Sequence, residues 1–589
     1  MLFSFSPSAH QRACAWKQQE RQSKIDALPA VYCAPLSLSE EKIHTLSISQ
    51  LVAQCRSGNI SPSAIMLAYA KKTLIAQEKT NCLTDIMFEE SLLIPPVANW
   101  GPGVDLDAGA NESVNRERSL LGVPISIKDT VDIKGHDTTI GYSKYVGHPA
   151  SSSSAIVRLL QDAGALVLSK TTVPAGLLAL ETFSDVFGPT NNPYNPAFSV
   201  GASTGGGTAL LACGGSKIEI GTDIAGSVRI PAHFCGIWGL KASAGRFPSW
   251  GTRSPLPGLE AIPIVASPMA GNLADLREFW KRVVACEPWQ YDHTCVPLPW
   301  RNVDIHDEGR KLKWGIVWED STVPPSPACK RALSMVVAAL KKQGHEVVDF
   351  HPPSAWEGLK IGYQLLFSDG GHQLKSHLTA GEKLNAAVRA LLSMLSLPKL
   401  FKRVLAFLSR TSDPAGAELL DIMTTKSTLE VRELVAQRDA YRAAWLDRWV
   451  GEGLDFVLTV PMALPALEHG KSEKTGLVCA GYTFLFSVLD YPAGVLPITK
   501  VDRALDSLPA SFFSPSPLSN SSQPPQPTYD GLSPVAKAVY SVYDADKMHG
   551  LPLGVQVIGR RLEEEKVLEG MQVVEDAVRE MFGGFDGGV

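Results

Sequence analysis

The sequence predicts an α/β fold whose β-sheet is mostly covered by helices. Short runs of β-forming residues alternate with longer helical patterns, which is typical of sheets flanked by helices. In segments 154–171 and 327–350, a helical run, a glycine and a strand follow one another. Apolar spacing over 38–78 predicts N-terminal helices, with Ser47 and Ser61 as N-caps.

Other segments extend this pattern along the chain. Residues 354–450 are mainly helical, which we interpret as a helical insertion. Residues 95–118 are rich in Pro, Gly and Asn and are predicted to form a loop. The Pro/Ser-rich stretch 508–528 is predicted to be a surface loop or a disordered excursion, and its Phe512 and Phe513 are candidates for docking on the body. Further strands are predicted in "GVPISIKD", "SKIEIGTD", "KLKWGIVWED", "LDFVLTVP" and "LPLGVQVIGRR".

Charge and composition argue against several functions. The 589 residues include 55 basic and 60 acidic side chains, a net charge of −5, and no Lys/Arg run predicts binding to nucleic acid or to an anionic membrane. No apolar run reaches the roughly 18 residues that span a bilayer. The ten cysteines form no C-x-x-C pair and the N-terminus lacks a signal-peptide core, so we expect reduced thiols and a cytoplasmic location. The 13 histidines show no metal-ligand spacing, and neither a metal nor another cofactor is predicted.

Three short stretches carry candidate chemistry, although each has a plain structural interpretation when taken alone. Lys128 follows a predicted strand, where a solvated lysine is ordinary. Residues 201–205, "GASTG", match the G-x-S-x-G nucleophile elbow, but a loop rich in Pro and Asn stands where that motif needs a strand. Ser227 lies in "GTDIAGSVRIPA", where a turn of small residues can point several backbone N–H groups at one oxyanion.

Together, the three stretches resemble the amidase signature enzymes. The hallmark of that family is a block near "GGSSGG" followed by "GTDIGGSIR-P", and this chain has "GASTGG" at 201–206 and "GTDIAGSVRIP" at 221–231. Ser203 and Ser227 are 24 residues apart, and Lys128 stands in the family's G-x-P-x-S-x-K-D context.

The resemblance extends from about residue 40 to residue 580 and looks most like the fungal acetamidase-type branch. "KTTVPAG", "FGPTNNPYNP" and "GIWGLKASAGRFP" are among the segments that carry it. The resemblance implies a single domain, 1–589, with a large mixed β-sheet that helices cover on both faces. Within it, 1–80 would be an N-terminal helical region and 120–270 the catalytic signature core.

By the same resemblance, the chain hydrolyses amides without histidine. Ser227 would be the acylated nucleophile, Ser203 a bridging serine preceded by a cis peptide bond, and Lys128 the terminal base. Leu177 matches a position that lines the acyl pocket, with plain core packing an equal alternative. Further roles follow by position: backbone N–H groups of Ile224, Ala225, Gly226 and Ser227 for the oxyanion, and Thr204, Asp223 and Arg229 as supporting residues.

This chemistry makes demands on the site. Lysine has an ordinary pKa of about 10.4, so a base at neutral pH needs a fall of roughly three units, about 4 kcal/mol. Burial or a neighbouring cation, for which Arg229 is a candidate, could supply it. Ala202 and Ala225 stand where the family usually has glycine, and Thr204 where it has serine. A positive φ at Ala225 would cost about 1 kcal/mol or more.

Several alternatives remain open at this point. The rivals are a serine esterase with Ser203 as nucleophile, a non-catalytic relative or binding protein on the same fold, and an amidotransferase subunit. By the resemblance, the substrate would be a small-molecule amide, with simple aliphatic amides as the default and an amide or ester of a fungal secondary metabolite as the alternative. A homodimer is compatible with this interpretation.

Overall fold

A mixed eleven-stranded β-sheet forms the centre of the structure, which is a computed structural model describing residues 7–94, 104–105, 118–305, 310–509, 512 and 528–588. Two short ladders of two-residue strands, Leu93–Ile94 with Val104–Asp105 and Phe183–Ser184 with Gly188–Pro189, lie outside it. The strands of the main sheet are β1 (Leu83–Ile86), β2 (Pro124–Lys128), β3 (Leu166–Thr171), β4 (Ile218–Asp223), β5 (Trp238–Lys241), β6 (Val265–Ala270), β7 (Lys313–Ile316), β8 (Glu346–Asp349), β9 (Phe456–Thr459), β10 (Ala493–Lys500) and β11 (Pro552–Ile558).

The order of the strands is β1-β3-β2-β4-β6-β5-β10-β11-β9-β7-β8. Strand β2 is parallel to both β3 and β4, whereas β4 and β6 are antiparallel. The sheet is therefore mixed, and the fold class implied by the resemblance is confirmed. All the strands predicted above are present, and the residues of β2, β3 and β4 are buried, as a central sheet region covered on both sides requires.

Helices pack against the strands of this sheet. The predicted N-caps are confirmed, because the Ser47 and Ser61 side chains accept hydrogen bonds from backbone N–H groups of the first turns of their helices. The helices are α1 (Ala9–Asp26), α2 (Leu38–Thr45), α3 (Ile48–Arg56), α4 (Pro62–Thr80), α5 (Ala155–Asp162), α6 (Gly205–Ala212), α7 (Arg229–Cys235), α8 (Leu273–Ala285), α9 (Pro327–Lys342), α10 (Ala355–Leu366), α11 (His372–Ser376), α12 (Ala386–Ser396), α13 (Lys399–Ser409), α14 (Pro414–Ile422), α15 (Thr428–Gly451), α16 (Ser472–Thr475), α17 (Gly481–Val488), α18 (Pro534–Tyr540) and α19 (Glu564–Phe582).

Helices α10 to α15 fill the segment 354–450 that the sequence marks as helical. Of the two predicted loops, most of 95–118 and most of 508–528 lie outside the described residues. Phe512 is described, and its ring is buried and stacks on Tyr540 with 5.4 Å between the ring centroids. Among the described residues, no helix combines the length and the apolar character that a bilayer crossing requires.

Candidate active site

Lys128 ends strand β2 and turns its amine into a closed space beside the sheet. The side chain is fully buried. Its Nζ atom donates to Ser203 Oγ at 2.7 Å and to the Thr222 carbonyl oxygen at 3.0 Å. The plain interpretation of Lys128 as a solvated lysine is therefore wrong, since a fully buried amine that donates to a serine hydroxyl is placed to exchange a proton with it.

Burial lowers the proton affinity of Lys128, so that its amine can be neutral and act as a base near neutral pH. It lowers the pKa of the lysine to about 7, although the carboxylates of Asp223 and Glu219 oppose this shift. Of the two causes expected from the sequence, burial is the one found. Arg229 is bound to Asp223 through its Nη2 atom at 2.9 Å, so its charge is compensated locally.

Ser203 lies in a turn just before helix α6. Thr182 fixes this turn, because its hydroxyl donates to the carbonyl oxygens of Gly201 and Ala202 at 3.0 and 2.8 Å. The cis peptide bond expected before Ser203 is wrong for this structure: no peptide bond in the described part of the chain is cis. With this trans backbone the Ser203 hydroxyl still reaches Lys128.

Glycine allows α6 to lie directly on the strands. A Cβ atom at Gly206 would lie 2.3 Å from the backbone nitrogen of Thr172, a distance that no real contact allows.

The G-x-S-x-G elbow lacks the strand that it requires. Residues 193–202, which lead into Ser203, belong to none of the strands. The structure thus confirms the loop predicted before Ser203, and this loop argues against a serine esterase with Ser203 as its nucleophile.

The loop that carries Ser227 follows strand β4 and is folded around Asp223. The Asp223 carboxylate accepts from the amides of Gly226 and Val228 at 2.8 and 3.0 Å. Burial raises the pKa of this carboxyl, but Arg229 and the Val228 amide outweigh burial and hold the pKa at about 2. Because the Gly226 amide already has an acceptor, the amides of Ile224, Ala225 and Ser227 remain as the candidates for an oxyanion.

Glycine is needed in this loop at 226 and not at 225. Gly226 has φ 125°, and a Cβ there would lie 2.3 Å from Thr483 Oγ1. Ala225 and Ala202 both lie outside the positive-φ region, so the strain considered for Ala225 does not arise. The methyl groups at these two positions therefore fit the backbone that the structure has.

Arg229 ties the loop to helix α17. Its Nη1 atom donates to the Thr483 carbonyl oxygen at 2.7 Å, and its Nη2 atom donates to Ser487 Oγ at 2.9 Å. The Thr483 hydroxyl in turn donates to the Ala225 carbonyl oxygen at 2.7 Å. Sequence analysis missed Thr483 and Ser487, because nothing in a single sequence connects residues 254 and 258 positions away to Arg229. It also missed Thr182, which is nearer in the chain but belongs to none of the motifs that the sequence offers.

The two serines open into one narrow pocket of about 20 Å³, enough for about one water molecule. Leu177 lines it, which favours the pocket role over plain core packing, and this residue has φ 61°, unusual for leucine. No hydrogen bond between the described residues joins the two serine hydroxyls directly. No histidine is among the described residues that line this pocket. They are Leu177, Leu178, Ser203, Thr222, Ile224, Ser227, Ser254, Pro255, Leu256 and Ile264.

Thr204 connects the two serine loops through its backbone. Its N–H group donates to the Ser227 carbonyl oxygen at 3.2 Å. Its hydroxyl is buried without a hydrogen-bond partner among the described residues. Thr204 therefore supports Ser227 through its main chain, and its hydroxyl takes no part in this support.

Comparison with known proteins identifies the family. The family model described as Amidase matches residues 64–568. The chain belongs to the amidase family. This membership fits the buried lysine and the two serines of the pocket, since the family blocks found in the sequence are the segments that carry these three residues.

Several relatives are similar over nearly the whole chain. An acetamidase of Aspergillus oryzae (strain ATCC 42149 / RIB 40) is 32% identical and covers 90% of this chain and 90% of its own. Fatty-acid amide hydrolase 1 of Sus scrofa is 33% identical over 91% of this chain and 86% of its own. A solved structure of a fatty acid amide hydrolase aligns with a TM-score of 0.77 at 25% identity, covering 96% of this chain and 95% of that one. The likeness thus includes fungal acetamidases, as expected, and animal enzymes as well.

Proposed function

We propose that this protein hydrolyses carboxylic acid amides through an acyl-enzyme on Ser227, with Ser203 and Lys128 carrying the proton. The observation that carries this proposal is the 2.7 Å hydrogen bond from Lys128 Nζ to Ser203 Oγ, inside a buried site whose pocket Ser227 shares. Membership of the amidase family supports the reaction type.

Acylation begins when Ser227 Oγ attacks the amide carbonyl carbon. The Ser227 proton passes to Ser203 as the Ser203 proton passes to neutral Lys128. The amides of Ile224, Ala225 and Ser227 would hold the oxyanion, while Asp223 fixes the backbone that presents them.

The second half of the reaction reverses the proton path. Protonated Lys128 returns its proton through Ser203 to the leaving nitrogen, and ammonia or an amine departs. Water then attacks the acyl-enzyme and gives a proton to the lysine system. That proton returns through Ser203 to Ser227 Oγ as the bond between Ser227 Oγ and the acyl carbon breaks, and the carboxylic acid is released. A pKa of about 7 lets Lys128 act in both directions near neutral pH.

The pocket favours amides with an apolar acyl group. Side chains of Leu177, Leu178, Ile224, Leu256 and Ile264 surround the space beside the two serines. The named relatives include an acetamidase and a fatty-acid amide hydrolase, so we propose the aliphatic amides as the substrate class. The cytoplasmic location and the homodimer remain predictions from the sequence.

The test is a substrate panel combined with covalent labelling. We would assay purified protein against acetamide, longer aliphatic amides, aryl amides and the matching esters, with Ser227→Ala as the control. A fluorophosphonate probe should modify Ser227 in the parent protein and leave Ser227→Ala unlabelled. Amide hydrolysis by Ser227→Ala at the parental rate would refute the assignment, and a probe adduct on Ser203 would instead favour the esterase alternative. A parent protein that neither turns over amides nor reacts with the probe would favour a non-catalytic relative.

A further inference from the structure

A second ionisable side chain that the proposed mechanism does not use lies beside Lys128. Glu219 is fully buried in strand β4. In the sheet register Glu219 stands opposite Ser126 of β2, and Lys128 stands opposite Thr171 of β3. Because alternate residues of a strand point to the same face, these four side chains share one face of the sheet.

Only neutral groups donate to the Glu219 carboxylate. Its Oε2 atom accepts from Ser126 Oγ at 2.5 Å, and its Oε1 atom accepts from Thr171 Oγ1 at 2.7 Å. Within the described residues, no cation lies within 4.0 Å of this carboxylate, although buried carboxylates are usually paired. Burial raises the pKa of Glu219 to about 7, opposed by the two hydroxyls and by Lys128.

The helix above the carboxylate is shaped around it. At Gly207 of α6, a Cβ atom would lie 2.1 Å from the carboxyl carbon of Glu219. Any residue other than glycine would therefore displace Glu219 or the helix. Since α6 begins two residues after Ser203, the carboxylate is enclosed between the sheet and the helix that follows the proposed proton relay.

We propose that Glu219 is a positioning residue for this reaction, whose carboxylate stabilises the ammonium form of Lys128 when the lysine takes the Ser203 proton. The inference rests on the proposed function. In that step the Ser227 oxygen bonds the carbonyl carbon and its proton passes to Ser203 Oγ. The Ser203 proton moves to Lys128 Nζ, and the carbonyl electron pair becomes the oxyanion. A positive charge thus forms on Lys128 in a buried site, where a fixed negative charge nearby is most effective.

The other charged groups near Lys128 are already compensated. Asp223 is paired with Arg229, and Asp129 is paired with Lys170, whose Nζ lies 2.9 Å from the Asp129 carboxylate. Helix α6, "GGGTALLA", has no titratable side chain. Among the described residues, Glu219 is therefore the carboxylate acting on Lys128 that has hydroxyl donors alone.

The test is the pH dependence of fluorophosphonate labelling of Ser227 in Glu219→Gln, which keeps the side-chain shape and removes the charge. We expect the acid limb of the labelling rate to move to lower pH by about one unit and the plateau rate to fall about tenfold, since one unit of pKa corresponds to a tenfold change. If Glu219 had only a structural role, Glu219→Gln would change the unfolding temperature and leave the pH of the acid limb of the labelling rate unchanged.

Glu564→Gln is the matched control. Glu564 is also fully buried and accepts a hydrogen bond from the Ser243 amide at 2.7 Å, but it is not among the charges that act on Lys128. Its substitution should leave the acid limb unchanged. If Glu219→Gln fails to fold, Thr171→Val removes one donor to the carboxylate and should move the limb in the same direction by a smaller amount.

Coinciding acid limbs in Glu219→Gln and the parent protein, with equal plateau rates, would overturn this inference. Such a result would leave the proposed function standing, because Ser227 would still be labelled. Absence of Ser227 labelling in the parent protein would instead refute the proposed function itself.

Discussion

The Lys128 amine and the Ser203 hydroxyl are 2.7 Å apart, and solvent reaches neither side chain to any useful extent. A lysine in this position keeps a low proton affinity because water cannot solvate its ammonium form. The contact between strand β2 and the turn before α6 thereby creates a buried base next to a pocket whose described lining residues include no histidine.

Substitution of Lys128 by Met should reduce the rate of acylation of Ser227 by a factor of about 100 or more, the range found for loss of a general base. The measurement is kcat/KM for an aliphatic amide, with the rate of fluorophosphonate labelling in parallel. Lys134→Met, at a position outside the pocket lining, is the control and should keep parental activity. Parental turnover in Lys128→Met would exclude the lysine as the base.

The activity of the parent protein should rise with pH through about 7. The neutral form of Lys128 accepts the proton, and burial places its pKa at about 7, so kcat/KM should increase about tenfold per pH unit below that value and level off above it. A pH–rate profile between about pH 5 and pH 9 measures this limb. A flat profile across that range is the result that would contradict it.

The same lysine should make stability depend on pH. Its pKa is near 7 when folded and near the ordinary value of 10.5 when unfolded, so the unfolded chain binds more protons between these values and stability should rise with pH across that window. In Lys128→Met this slope disappears, so the free energy of unfolding of the variant relative to the parent should fall by about 4 kcal/mol from pH 7 to pH 10.5. Urea denaturation at both pH values gives the comparison, and a constant difference would show that the folded pKa is ordinary.

Two adjacent positions of the Ser227 loop should differ in how strongly a substitution affects them. Gly226→Ala places a Cβ at φ 125° against Thr483, so we expect kcat/KM to fall at least about tenfold and the unfolding temperature to drop. Ala225→Gly changes a residue with an ordinary φ and should cost about 1 kcal/mol or less, with activity retained. Equal effects of the two substitutions on activity would show that the loop backbone is not held as the structure has it.

Arg229 should matter for stability as well as for the loop. Arg229→Met leaves the Asp223 carboxylate buried without its cation, which typically costs about 3–5 kcal/mol. Arg410→Met is the control, because both side chains of the Arg410–Asp421 pair are open to solvent and such pairs contribute about 0–1 kcal/mol. Thermal or urea unfolding of the two variants measures the difference, and similar losses would contradict the role given to burial.

Much of the architecture follows from local pattern. The strand "PISIK" and the strand "IEIGTD" are recognisable because β-forming residues are followed by polar ones, and the Ser47 and Ser61 caps because a serine precedes each apolar helical run. The spacing of Lys128, Ser203 and Ser227 is visible in the same way. These signals are local or lie in short blocks, so a single sequence contains them.

The remaining parts of the site depend on contacts between distant segments. Whether Ala225 is strained, whether burial or Arg229 lowers the pKa of Lys128, and whether Thr483 holds the loop could not be predicted, since each depends on how α17 and α6 pack against β4.

The sequence by itself determined the α/β fold, the family and the three residues that we propose for catalysis. The tertiary structure alone decided that Lys128 is dehydrated and that Glu219 shares its face of the sheet, with Gly207 leaving space for the carboxylate. The physical reason is that the proton affinity of a side chain depends on its burial and on the charges near it in space, and both are known only once the chain is folded.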